Sequence, residues 1–196
     1  MTELQKIERV KILCDPALDV KIRKDIVNNL SGAVFSHQGK YLWLGTDELV
    51  AIERFTRLEN SPGLFGEHQR FYLKNSIDGF DEQQGEVDVE GLDYSDGYLW
   101  VIGSHSSKRK KVEIEADKFK IEGKELKKVV RQENRYLLAR IPINEAGELD
   151  NKSAQRGWLS RDGSSNSLTK ALATDEYLDF AQTIERNDRS SLPGEE

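Results

Sequence analysis

The sequence predicts an all-β protein of β-propeller-like units, a partial propeller with a short helix near its C-terminus. A strand–turn–strand pattern occurs twice, and aromatic and β-branched residues flank each turn. The 196 residues allow one ordinary domain with a sizeable core. We divide the chain into an N-terminal segment (1–29), a partial β-propeller domain (30–186) and a disordered tail (187–196).

The two copies of the pattern span residues 30–45 and 89–103. Gly32 in the first copy corresponds to Gly91 in the second, and Trp43 corresponds to Trp100. The matched glycines lie slightly farther apart along the chain than the matched tryptophans. This difference falls in the turn, where changes of length are tolerated best. Repeated units of strand–turn–strand content are typical of propeller blades, which are four-stranded sheets.

Each copy has the turn chemistry of a β-hairpin. Asp96-Gly97 is a strong signal for a tight turn, because both residue types tolerate a positive φ. The segment 37–40 predicts a longer turn with glycine at the permissive position. Gly32 and Gly91 lie just inside the first strand of each copy, and we expect another backbone to pass close to them.

Local composition predicts four elements outside the copies. They are a turn at 60–63, strands at 70–73 and 135–141, and a helix from an N-cap at Ser167 through Leu168, Ala171 and Leu172. The stretch 112–121 loses its alternation and is assigned to no element, and 1–29 shows no clear period.

The charge and hydropathy of the chain limit which kinds of partner it can have. The net charge of −6 argues against nucleic acid, because phosphate binding needs a positive surface. The sequence has no signal peptide and no apolar run of about 18 residues, so we expect a cytoplasmic protein without membrane contact. Cys14 is the single cysteine, which excludes an intrachain disulfide. A partial propeller leaves open strand edges, so we expect self-association through them.

These motifs resemble the bacterial, and notably cyanobacterial, family catalogued as domain of unknown function 3616. The matching segments are 30–32, 42–48, 86–92, 99–106 and 135–140. The resemblance implies a relative of the phytase-like and esterase-like propellers. It covers the first half of the family pattern, which implies an N-terminal fragment, and it carries no settled activity.

Three carboxylates occupy alternate positions where the second copy begins. In a strand, Glu86, Asp88 and Glu90 would line one face at about 6.5–7 Å spacing. Hard cations such as Ca²⁺ take 6–8 oxygen ligands, often from carboxylates. The alternatives are a solvated strand face and a metal or cationic-ligand site, to which Asp47 and Glu48 at the end of the first copy would add ligand-binding groups.

The tripeptide Ser104-His105-Ser106 follows the second copy. Adjacent strand residues point to opposite faces, so the tripeptide forms no catalytic dyad by adjacency. A structural role is one interpretation. In the other, His105 is a general base, and Ser104 or Ser106 donates a hydrogen bond to a ligand.

A basic run at 108–111 follows this tripeptide after one further serine. Lys108 and Arg109 are either part of a solvated loop or a binding site for a phosphate-bearing ligand.

The other histidines and the tryptophans favour structural roles. His37 lies in a turn, and His68 has no metal-ligand spacing to it, so both are predicted at the surface. Trp43 and Trp100 at matched positions are predicted to pack in the core or between blades rather than to form a ligand platform.

Two functions remain open. The first is a non-catalytic propeller-type protein that binds a ligand or a protein partner. The second is a metal-dependent phosphoesterase or esterase, with Ca²⁺ as the candidate metal, that uses the carboxylates, His105 and the basic run.

Overall fold

The computed structural model describes residues 9–59, 61, 63–109, 129–130, 132–162 and 165–175. The helices are α1 (Val20–Asn28) and α2 (Ser167–Leu172). The strands are β1 (Lys11–Ile12), β2 (Leu30–Ser36), β3 (Tyr41–Thr46), β4 (Ala51–Arg57), β5 (Leu64–Tyr72), β6 (Val89–Ser95), β7 (Tyr98–Gly103), β8 (Lys108–Arg109), β9 (Val129–Val130), β10 (Leu138–Pro142) and β11 (Gly157–Trp158). The described chain is mostly β, as the sequence predicts.

Two principal sheets organise the strands. The first sheet has the order β1-β5-β4-β3-β2, in which β2 to β5 are antiparallel and β1 is parallel to β5. The second sheet has the order β11-β10-β7-β6 and is antiparallel. Strands β8 and β9 form a separate pair.

The two predicted hairpins have the same pairing register. Trp43 pairs with Val34 across β2 and β3, and Trp100 pairs with Asp93 across β6 and β7. The register extends in both hairpins to the turn, which is the tight Asp96-Gly97 turn in the second. The glycines and tryptophans matched in the sequence therefore occupy equivalent strand positions.

The two sheets meet where β2 of the first sheet lies against β6 of the second. Each hairpin has a bulge immediately before its glycine, Gly32 in β2 and Gly91 in β6. A β-carbon added to Gly32 would lie 3.2 Å from the amide nitrogen of Leu92 and 3.3 Å from the carbonyl carbon of Gly91. The predicted close approach of a second backbone at Gly32 is confirmed, because both distances are shorter than an ordinary contact of a β-carbon.

The main core fills the space between the sheets. Trp43 is fully buried there and donates a hydrogen bond from Nε1 to Ser36 Oγ at 2.9 Å. Trp100, at the matched position, is only half-buried on the outer face of the second sheet. Trp43 is therefore a core residue, as predicted, whereas Trp100 lies outside the described core, and its packing between blades stays a prediction.

The N-terminal segment contains a helix that the sequence reading did not assign. Asp19 caps α1 by accepting a hydrogen bond from the amide of Lys21 at 2.7 Å. Ile22 and Ile26, one turn apart, pack with Leu18 against the face of the first sheet that points away from the second. The helix is short and has few apolar residues among many charged ones, so the sequence shows no clear helical period there.

Two predicted element boundaries differ from the structure. Residues 133–136 form a 3₁₀ turn, and the strand predicted at 135–141 is β10 (Leu138–Pro142). The predicted helix near the C-terminus is α2, but Asn166 rather than Ser167 is its N-cap, paired with Thr169 in a capping box. The stretch 112–121 and the tail 187–196 lie outside the described residues.

Candidate functional site

Polar side chains from four segments converge where β7 ends. The segments are 85–88 before β6, the loop 104–107 after β7, the 3₁₀ turn 133–136 before β10, and the start of α2. Gly103 permits the convergence, since a β-carbon there would lie 2.5 Å from the carbonyl oxygen of Arg135. We call Arg135, Glu86, Asp88, Ser106 and Lys108 the Arg135 cluster.

The guanidinium of Arg135 is buried and makes polar contacts through all three of its nitrogens. Nη1 donates to Glu86 Oε1 at 2.8 Å, and Nη2 forms an ion pair with Asp88. Nε donates to the carbonyl oxygen of Ser106 at 3.0 Å, and Nη2 also reaches Ser106 Oγ at 3.1 Å. A planar guanidinium suits this role because its donors point in fixed directions toward carboxylates and carbonyls.

The predicted carboxylate strand has a different backbone. Val87 and Val89 are fully buried, as the alternation predicts, but β6 begins only at Val89, and Asp88 has a φ of +54°. Glu86 and Asp88 consequently turn toward Arg135 instead of lining an open strand face. Glu90 is exposed in β6.

Lys108 adds a second cation to the cluster. Its Nζ lies 2.5 Å from Glu86 Oε1, so this carboxylate bridges Lys108 and Arg135. The Lys108 side chain remains 40% exposed, which leaves its ammonium in reach of solvent. Arg109 belongs to β8, and its side chain lies outside the described residues, as does the rest of the basic run.

His105 is held on both ring nitrogens. Nδ1 lies 2.8 Å from the carbonyl oxygen of Gly103, which only accepts, so Nδ1 carries the proton. Nε2 lies 2.7 Å from the amide nitrogen of Asn166, which donates to it. Both ring nitrogens of His105 are therefore engaged in hydrogen bonds within the protein.

Asn166 connects α2 to the loop after β7 and to the 3₁₀ turn before β10. It is fully buried, and its side-chain amide donates both to His105 and to the carbonyl oxygen of Tyr136 at 2.6 Å. Its Oδ1 accepts the amide hydrogen of Thr169 at 2.9 Å. One side chain thus caps the helix and fixes the loop after β7.

The serines of the tripeptide belong to the same network. Ser106 Oγ donates to Ser104 Oγ at 3.2 Å and accepts from Arg135. Because β7 ends at Gly103 and His105 has a φ of +50°, the tripeptide is a loop and not a strand. Strand alternation consequently does not decide where its side chains point.

Asp47 and Glu48 directly follow β3 at the end of the first hairpin. Their position matches the start of the tripeptide after the second hairpin. The Asp47 amide donates to the carbonyl oxygen of Asn29 at 3.2 Å, and Glu48 is exposed. No hydrogen bond or ion pair between described residues joins these two carboxylates to the Arg135 cluster.

Sequence reasoning did not assign roles to Arg135 and Asn166. Arg135 is separated by 49 residues from Glu86 along the chain, and Asn166 by 61 residues from His105. The available signal for Asn166 was the Asn-Ser-Leu-Thr capping pattern, which places Asn one residue before the predicted cap.

A second buried ion group lies on the outer face of the first sheet. Glu53 is fully buried and accepts from His68 Nε2 at 2.7 Å and from Arg70 Nε at 2.8 Å. The His68 side chain is 1% exposed and stacks on Phe55 at 4.4 Å, so the surface position predicted for it is wrong. Burial of a carboxylate requires such partners, and the N-terminal segment closes over them.

Metal-ligating residues do not form a set of three in the part of the chain that the structure describes. The available carboxylates of the cluster, Glu86 and Asp88, already bind cationic side chains. None of the described helices has the length and apolar character needed to span a bilayer.

A family described as "Protein of unknown function (DUF3616)" matches residues 29–190. The chain belongs to the DUF3616 family. The resemblance read from the motifs is thereby confirmed, and it spans both hairpins and the Arg135 cluster of this DUF3616 chain. No curated protein and no solved structure matches the chain.

Proposed function

We propose that this DUF3616 chain is a non-catalytic, β-propeller-type protein that binds a ligand or a protein partner. The observation that carries the proposal is that the polar groups of the Arg135 cluster, and His105 beside it, already bind partners within the protein. Glu86 and Asp88 bind Arg135, and both nitrogens of His105 are occupied. These groups hold the loop after β7 against the 3₁₀ turn and α2.

The arrangement of the sheets supports the propeller-type part of the proposal. Strands β2 to β5 and the four strands of the second sheet each form an antiparallel unit of the size of a blade. The first strands of the two units lie against each other at Gly32 and Gly91, as stacked repeats require.

The hydrolase alternative requires a free base and open carboxylates. A general base must offer a lone pair to the proton that it removes, and the lone pair of His105 accepts from Asn166. A divalent cation at Glu86 and Asp88 would have to displace Arg135, which is buried and has no other anionic partner among the described residues.

An activity assay separates the two functions. The purified chain is incubated with p-nitrophenyl phosphate and p-nitrophenyl acetate, in calcium and in chelator, beside the variants His105→Gln and Glu86→Gln. We expect the unmodified chain and both variants to hydrolyse each ester at the same rate. We also expect calcium not to raise the melting temperature of the chain. Calcium-dependent turnover that is lost in a variant with a native melting transition would establish the hydrolase instead.

A further inference from the structure

The two faces of the first sheet carry different side chains. Tyr41, Trp43 and Arg54 lie on the face toward the second sheet, which we call the aromatic face. Leu42 and Leu44 lie on the opposite face, which we call the aliphatic face. The two faces follow from the alternation of side chains along β3 and β4.

The second sheet repeats this division at matched positions. Tyr98 and Trp100, the counterparts of Tyr41 and Trp43 in the second hairpin, lie on its aromatic face together with Arg140. Leu99 and Val101 lie on its aliphatic face and belong to the main core. Each sheet therefore has one face of each kind.

The faces are covered unequally. The aromatic face of the first sheet packs on the aliphatic face of the second, and α1 covers the aliphatic face of the first. None of the described elements covers the aromatic face of the second sheet: Ile102 is 38% exposed, and Asp93 and Arg140 are exposed. A cavity of about 430 Å³ on this face is lined by Asp93, Ser95, Asp96, Tyr98, Trp100 and Arg140.

An arginine occupies the same place on both aromatic faces. Arg54 is the cross-strand neighbour of Trp43, and Arg140 is the cross-strand neighbour of Trp100. The guanidinium carbon of Arg54 lies 4.7 Å from the ring centroid of Tyr41, and that of Arg140 lies 5.0 Å from the ring centroid of Tyr98. The Tyr–Trp–Arg trio is thus present twice.

The first trio receives a turn of the neighbouring sheet. Arg54 Nη1 donates to the carbonyl oxygens of Gly147 at 2.5 Å and Ala146 at 3.2 Å, in the turn after β10. Gly147 has a φ of +73°, and a β-carbon on it would collide with the ring of Tyr41. Arg54 is 5% exposed, and this burial lowers its pKa. The trio recognises carbonyl groups and a glycine.

We propose that the aromatic face of the second sheet docks the aliphatic face of a further β-sheet. In this interface Arg140 donates to the carbonyl groups of a glycine-containing turn, and Tyr98 packs on that glycine. The proposal deepens the partner-binding function proposed above, on which it rests. Tyr, Trp and Arg are also the side chains that dominate protein–protein contacts, and Trp100, Tyr98 and Arg140 form such a set.

Two differences between the aromatic faces define the partner further. Asp93 replaces Val34, so the partner presents a donor or a cation near this carboxylate. Ile102 replaces Gly45, which in the first sheet leaves room for Val89. The partner therefore has a small residue at the position that corresponds to Val89.

In the described residues, a second copy of the chain presents no free aliphatic sheet face. Its aliphatic faces are covered, one by α1 with Ile26 fully buried, and the other by the first sheet with Leu99 fully buried. The occupant that we assign is therefore a sheet of a different polypeptide, with leucine or valine at alternate positions.

Photo-crosslinking in the native host tests the docking face on the full chain. The variant Ile102→p-benzoylphenylalanine places the probe on the open face, and Val27→p-benzoylphenylalanine on exposed α1 is the matched control. We expect a discrete adduct from position 102 alone. Mass spectrometry should assign the crosslinked peptide to a segment of alternating aliphatic residues beside a glycine turn.

Replacement of the two arginines gives a second, independent readout. Arg140→Glu should reduce the adduct at least ~10-fold and leave the melting temperature of the isolated chain unchanged, because Arg140 is exposed. Arg54→Glu should lower that temperature, because Arg54 is buried between the sheets.

Three results would overturn the docking face. They are an adduct no stronger than at position 27, a crosslinked peptide from a second copy of this chain, and a loss of melting temperature in Arg140→Glu equal to that in Arg54→Glu. These results leave the non-catalytic function standing, whereas calcium-dependent hydrolysis would remove that function without any change in crosslinking.

Discussion

The backbone of Gly32 lies against the backbone of Gly91, and these are the equivalent glycines of the two hairpins. A β-carbon at Gly32 would stand 3.4 Å from the α-carbon of Gly91. The neighbouring Ser31 hydroxyl also reaches across the gap and donates to the carbonyl oxygen of Val89. The contact sets how closely β2 approaches β6, and with it the thickness of the core between the sheets.

Gly32→Val should destabilise the protein, because two backbones leave no room for a branched side chain. We expect a loss of about 1–3 kcal/mol in the free energy of unfolding, typical of overpacking. Urea unfolding measures it, with Ala33→Val on the exposed side of the same strand as the control. Equal stability of the two variants would contradict the close packing at Gly32.

Arg135→Met should destabilise the protein by about 3 kcal/mol, because it removes the shared cationic partner of Glu86 and Asp88. The side chains of both carboxylates are mostly buried, so water cannot replace that partner. Lys170→Met removes an ion pair with Asp162 in which both side chains are largely exposed, and it should cost less than about 1 kcal/mol. Chemical denaturation of both variants tests the difference. A cost for Arg135→Met as small as for Lys170→Met would show that the cluster does not hold the loop.

Asn166→Ala should cost about 2–4 kcal/mol, because it removes a helix cap and strands the buried Tyr136 carbonyl. Asp19→Ala removes only the cap of α1, and about 1 kcal/mol is expected.

Asn166→Asp separates the two roles of this side chain. The carboxylate still caps α2 but does not donate to Tyr136, so most of the loss should remain. Thermal melts compare the three variants. Full recovery of stability in Asn166→Asp would mean that the interior hydrogen bonds contribute little.

The Cys14 thiol should react more slowly in the folded protein than in the unfolded one. Burial, and next the negative charge of Glu53, raise the pKa of Cys14 above its ordinary value. Folding therefore favours the neutral thiol, and this stabilisation is present below the unfolded pKa and is lost as the pH rises through the folded pKa.

Alkylation of Cys14 by iodoacetamide across the alkaline range measures this pKa. We expect the rate in native buffer to reach half its plateau at a higher pH than the rate in urea. Cys14→Ser serves as the blank. Coincident profiles in native buffer and urea would refute the shift.

Local chemistry was sufficient for the hairpins. The Asp96-Gly97 turn, the flanking aromatic and branched residues and the matched glycines depend on neighbours a few residues away, and all are present in the fold. The alternation at 86–90 also placed Val87 and Val89 correctly in the core. It failed for the carboxylates, because the positive φ of Asp88 breaks the strand geometry that the spacing assumed.

The tertiary structure decided which polar residues bind each other and which sheet faces are covered. His105 and Asn166 read as unrelated polar residues, and only the packing of α2 beside β7 makes one the donor of the other. Trp43 and Trp100 have equivalent sequences around them, yet one is buried and the other lines an open cavity. By itself the sequence determined the hairpins and their register, since strand pairing follows local turn chemistry. Which faces are covered depends on segments distant in the chain, so only the assembled fold decided where a partner can dock.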